Sequence, residues 1–161
     1  MRQRQKGFTL LELVVAAGIL AVIAGAIMMT TVTLLRQSDQ DEAHVALQQV
    51  QNAGYWISRD VQMARNVTAP GPHGFPITIS VPVDDNEAND YSIQYLFTGN
   101  KLQRHLYDSS GNLTAETFIA DYIDTGNTAF VSANVSLYRL TIRAVKDERA
   151  VTMNYEVSQR L

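Results

Sequence analysis

Glu12 is the only charged side chain in the run from Phe8 to Leu35. A carboxylate at the centre of a membrane-spanning helix costs about 2.5 to 3.5 kcal/mol or more, so a cation or a set of donors must offset it. Its chemistry is therefore electrostatic. Just upstream, Lys6-Gly7-Phe8 joins a short basic end, with Arg2 and Arg4, to the apolar run. The acidic stretch Asp84-Asp85-Asn86-Glu87 through Asp90 offers oxygen ligands of the kind a hard cation takes, but without EF-hand spacing. It is expected to be a solvated loop. Asp60, His44 and His105 can titrate, yet no nucleophile motif, Gly-rich phosphate loop or His-Glu-x-x-His pattern accompanies them. His44 is expected on a helix face and His105 on the outward side of a strand. The chain has no cysteine, which removes disulfides, thiolate nucleophiles, lipobox lipidation and cysteine zinc sites. No catalytic residue, metal or cofactor is expected.

About 20 apolar residues cross the hydrocarbon core of a bilayer as a helix, and Leu13 to Leu35 carries no charge. Three basic residues precede the run and Arg36 follows it. The basic end is thus expected in the cytoplasm, with the remainder outside. A secretory signal has the same order, and Ala24-Gly25-Ala26 offers a cleavage site of the small-residue type. That reading implies a secreted enzyme released near Ala26. It would leave Ile27 to Leu35 as an apolar end and Glu12 without a purpose.

Lys6-Gly7-Phe8-Thr9-Leu10-Leu11-Glu12 resembles the leader junction of type IV pilins and of the pseudopilins of type II secretion. The resemblance implies that a prepilin peptidase cuts between Gly7 and Phe8 and methylates the amine of Phe8. It makes Glu12 the fifth residue of the mature chain, where the family keeps a carboxylate. An inner-membrane assembly platform and its ATPase are implied partners, beside other pilin or pseudopilin subunits.

Loss of Met1 to Gly7 would place a cationic amine at the membrane surface, at a depth similar to a neighbouring subunit's Glu12. Charges that are each costly in low dielectric attract strongly when they meet, although a buried pair often only offsets its desolvation. Such a pair sets register more than it adds stability. One helix cannot easily join its own first residue to its own Glu12, so the partner is expected to be another subunit. The alternative is a lone acid that snorkels to water.

A chain of 161 residues suits one modest domain plus an anchor. The leader holds three of the 13 basic residues and none of the 16 acidic ones, so processing leaves 10 against 16, a formal charge of −6. That balance gives no general basic footprint for nucleic acid. Ala43, Leu47, Val50, Gly54, Ile57, Val61 and Ala64 recur at spacings of four and three, one stripe of a helix, with Gln48, Gln51, Ser58, Gln62 and Arg65 opposite. No proline interrupts Phe8 to Asn66, which predicts one helix on the order of 90 Å long at 1.5 Å per residue. Gly18 and Gly25 are expected to soften the span, which lacks the proline many major pilins carry there.

Thr68 to Pro76 concentrates three prolines and two glycines and must end any helix. Ile77 to Val81 alternates as a strand, Tyr91 to Phe97 and Leu102 to Tyr107 flank a Gly99-Asn100 turn, and Phe118 to Ile123 reads as a short edge segment. Val135 to Val145 and Ala150 to Val157 alternate around a polar turn. The expected fold class is α+β: a long N-terminal helix, half membrane anchor and half amphipathic spine, packed on an antiparallel β-sheet head. The boundaries read as leader 1–7, assembly helix 8–35, spine 36–67 and head 68–161.

Ile57-Ser-Arg-Asp60, Gln62-Met-Ala-Arg65, Tyr95 and Leu102-Gln103-Arg104 resemble the J-type minor pseudopilin and the W-type minor pilin. The cysteine pair of many adhesive major pilins is absent. Arg59 and Asp60 are placed either as an ion pair between subunits or as capping and solvated groups, and Tyr55, Trp56 and the tyrosines of the head as half-buried core, with a subunit interface or ligand surface as the alternative. The expected function is thus a structural, non-enzymatic filament subunit: a single-pass inner-membrane protein, in lipid before assembly, with its head in the periplasm or outside. Nucleic acid is a partner only if the filament serves competence. The alternative from another class is a membrane-tethered DNA- or ligand-binding domain.

Overall fold

The computed structural model describes residues 9–160. One helix, α1, spans Leu10–Gln62, and the chain falls into two units that divide between Gln40 and Asp41. In the first unit, Leu10–Leu35 is a 26-residue apolar segment of mean hydropathy 2.6 with no residue buried. Length and composition suffice for a membrane span.

In the second unit α1 lies against two antiparallel sheets, which makes the fold α+β. Strands β1 (Asn66–Thr68), β2 (Ile77–Val81), β3 (Tyr91–Thr98), β4 (Lys101–Tyr107) and β5 (Leu113–Ala120) form one sheet in sequence order. Strands β6 (Ala129–Ser132), β7 (Leu137–Lys146) and β8 (Arg149–Ser158) form the other. The sequence reading had a single sheet; the chain divides after β5, where Tyr122 takes φ 59° and only an isolated bridge, Ile123 to Ala144, reaches the second sheet. Both alternating pairs form the expected hairpins. Gly99 at φ 64° closes β3–β4, and Asp147 at φ 50° lies in the turn of β7–β8.

The helix stops at Gln62 rather than Asn66. Met63 and Ala64 close tighter bonds to the carbonyls of Asp60 and Val61, and the Arg65 amide then donates to Ser80 in β2 at 2.8 Å. That bond starts β1, whose β-branched Val67 and Thr68 suit a strand. Fully buried α1 positions are Ala46, Val50, Ala53, Ile57 and Val61, which meet Ile77, Ile79, Ile93, Tyr95, Leu102, Leu140 and Ile142 from the sheets. Ala43 and Leu47 are only half-buried. At Gly54 the Tyr155 side chain of β8 packs directly on the helix: a Cβ there would lie 2.2 Å from Tyr155 Cζ. A side chain at this position would force the Tyr155 ring to move.

Candidate functional site

Of the three residues expected to carry processing and assembly, Gly7 and Phe8 lie outside the described residues. Glu12 is described, and its surroundings differ from the sequence reading in one respect: the carboxylate already has donors in its own chain. The Thr9 amide and hydroxyl both donate to Glu12 Oε2, at 2.9 and 3.1 Å, and the Glu12 amide donates back to Thr9 Oγ1 at 3.3 Å. This is a capping box, in which Ser or Thr at the N-cap and Glu three residues on satisfy each other's backbone donors. An acid there also faces the positive end of the helix dipole. The Thr9-x-x-Glu12 spacing is the sequence signal of this cap. All three bonds use Oε2 or the Thr9 hydroxyl, so among the described residues no donor occupies Oε1.

Further along the span, polar side chains are satisfied within the helix. Thr30, Thr31 and Thr33 donate their hydroxyls to the carbonyls of Ala26, Ile27 and Met29 at 2.9, 3.0 and 2.9 Å. Internal satisfaction is what a hydrocarbon environment demands. A Cβ at Gly18 or Gly25 would meet nothing within 4 Å, so both leave open surface for a neighbouring helix.

A second constellation lies at the far end of α1. Asp60 is 1% exposed and accepts from the Tyr95 hydroxyl at 2.6 Å and from Arg104 Nε at 2.7 Å. Tyr95 is fully buried on β3, and Arg104 comes from the neighbouring position on β4. The pair is therefore internal, and Arg59 takes no part in it: its guanidinium lies 5.6 Å from the Trp56 ring centroid. Arg104 approaches the same ring at 5.5 Å. Burial, with the adjacent Asp60 charge, pushes the Tyr95 pKa far above the ordinary tyrosine value. Burial opposes the charge on Arg104, but its hydrogen bond to Asp60 and that carboxylate's charge outweigh it and raise the pKa. A buried ion pair with a neutral donor fixes the register of helix against sheet. Sequence reasoning named all three residues without joining them. The signal was an acid three residues after Ile57, on the buried stripe, where a carboxylate must find partners.

The acidic stretch is ordered by its own amides and one arginine. Asp84 accepts from the Asn86 amide at 2.8 Å and the Asn89 side chain at 2.7 Å, and these bonds, the Asn89 side chain foremost, hold its pKa below the usual value. Arg65 binds the Asp84 carbonyl and pairs with Asp90 at 3.0 Å. Among the described residues no three His, Asp or Glu side chains are grouped to hold a metal ion. His44 is exposed on α1, while His105 is half-buried beside Tyr107 and 3.8 Å from Glu116.

No curated protein and no solved structure matches the chain. Residues 2–28 match the model of the prokaryotic N-terminal methylation motif. The matched segment contains the basic end, the Gly7-Phe8 junction, the capped Glu12 and most of the apolar span. Proteins with this motif are in general structural, are processed by prepilin peptidase and assemble with other pilins. Over these residues the chain carries the prepilin-type methylation motif found at the start of type IV pilins and pseudopilins.

Proposed function

We propose that this chain is a minor structural subunit of a type IV pilus or type II secretion filament, of the J-type pseudopilin or W-type pilin kind. The observation that carries the reading is the uncovered span: a 26-residue, predominantly apolar segment that its own fold leaves exposed, with a capped acid in its first turn. Burying that surface requires lipid before assembly and other apolar helices afterwards. In this reading residues 1–7 are the leader, 8–35 the assembly helix, 36–67 the spine and 68–161 the head, held outside the inner membrane.

The steps follow from the chemistry of the start. Prepilin peptidase hydrolyses the Gly7–Phe8 bond, and the new Phe8 amine carries a positive charge. Thr9 keeps Oε2 of Glu12 engaged, and Oε1 accepts from the Phe8 amine of an adjacent subunit as the helices pack. The contact ranks neighbours by axial position, because any other register leaves an amine and a carboxylate unpaired in low dielectric. The platform protein and its ATPase supply the work of extraction.

Intact mass of the protein from assembled filaments tests the proposal. A chain that begins at N-methylated Phe8 is expected. A working filament whose subunits begin at Met1 would exclude the contact, and wild-type incorporation of Glu12→Ala would remove its basis.

A further inference from the structure

Strand β8 forms a long edge of its sheet. Its ten residues pair with β7 in an unbroken register from Arg149 to Ser158, and β8 is the last strand of its sheet. Among the described residues no main-chain bond leaves Ala150–Ser158 except to β7. Long, regular edges are usually blunted by charge, proline or a bulge. Here Ala150 to Tyr155 carries none of these.

Beside this edge a cavity of about 490 Å³ runs between β8 and the exposed flank of α1, lined by Tyr55, Arg59, Gln62, Met153 and Tyr155 among others. Tyr55 is 60% exposed. Arg59 lies 5.6 Å from the Trp56 ring centroid, and among the described residues no acid pairs with it. Among the described residues the groove thus joins three features: main-chain donors and acceptors of β8 left open, an aromatic and thioether wall, and the Arg59 cation without a counter-ion.

We propose that β8 and this groove accept an extended segment of a different protein, an apolar strand bearing one carboxylate. Strand addition satisfies the free edge, alternate side chains enter the groove, and the carboxylate meets Arg59. A second copy of this chain fits less well. Pairing β8 with β8 on the same sheet face brings Val151, Met153, Tyr155 and Val157 to the groove, none of them an acid. The inference does not depend on filament assembly.

Site-specific photo-crosslinking of the full chain in its native host tests it. A benzophenone amino acid replaces Tyr55 in one variant and Asn154, exposed on β8, in another. Adducts are digested and mapped by mass spectrometry, with far-ultraviolet circular dichroism confirming that each variant folds. Both positions are expected to label one extended segment of another protein with Asp or Glu within two residues. Arg59→Glu is expected to cut the yield by about fivefold or more, and Arg59→Lys to retain most of it. Adducts to a second copy, to a helix, or to a segment without a carboxylate overturn the proposal. So do the absence of adducts and a yield unmoved by Arg59→Glu. Phe8 methylation and filament incorporation, measured on the same samples, report separately on the assembly reading.

Discussion

Asp60→Ala is the most informative single perturbation of the head. It removes one acceptor shared by Tyr95 and Arg104 and leaves a guanidinium that is 15% exposed without its counter-ion. Breaking a buried pair by deleting one partner costs about 3 to 5 kcal/mol. Partial access to water for Arg104 argues for the lower end, and the lost Tyr95 bond adds about 1 kcal/mol. A loss of about 4 kcal/mol follows, a fall of about 2 M in urea midpoint at a slope near 2 kcal/mol/M. Unfolding of the full chain in mild detergent can be read from Trp56, the only tryptophan, whose ring lies 5.5 Å from Arg104. Asp60→Leu combined with Arg104→Met and Tyr95→Phe is expected to recover most of the loss, since an apolar set of similar volume avoids the desolvation cost. If Asp60→Ala shifts the midpoint by less than the equivalent of about 1 kcal/mol, or the triple variant is worse than the single one, the register argument fails.

Tyr95 sets an alkaline limit. Its folded pKa is raised, so the stability it contributes is complete below the ordinary value of 10.0 and is lost as pH rises above it. Stability should fall above pH 10, and Tyr95→Phe should flatten that fall; an unchanged slope in denaturation against pH contradicts this. Gly54→Ala places a methyl group in the Tyr155 ring and should cost about 1 to 3 kcal/mol, partly regained when Tyr155→Leu is added. Gly74→Ala combines φ 80° with a clash at the Phe130 carbonyl, and thermal melting should show a larger loss than at Gly99, which has open space. Thr9→Val removes the cap hydroxyl and should cost the helix start about 1 kcal/mol, read as faster amide exchange at Leu10 to Glu12.

Local periodicity made much of the fold readable before any coordinates. Alternation at Tyr91 to Phe97 and at Val135 to Val145 fixes which face is buried, and Gly99 marks a turn that needs positive φ. The division into two sheets was not readable, because it depends on Tyr122 adopting a left-handed conformation that no local preference announces. β5 was read too short for a related reason: Leu113 to Phe118 is exposed on both faces, so burial leaves no period there. At the candidate site, charge in an apolar run exposed Glu12 at once, while its bonds to Thr9 required a cap to be considered as well. The Asp60 cluster joins residues 35 and 44 positions apart, and such contacts come from topology.

Both sheets take their inner lining from one short length of α1. Asn52 binds the Ile119 carbonyl of the first sheet and Tyr155 of the second reaches the Val50 carbonyl, two residues away along the helix. Neither half can therefore close alone, and the unit should melt in one transition. Recombinant versions cut for solubility must begin before Ala46; a start beyond Ile57 would strip the shared wall from both halves and yield an aggregating product.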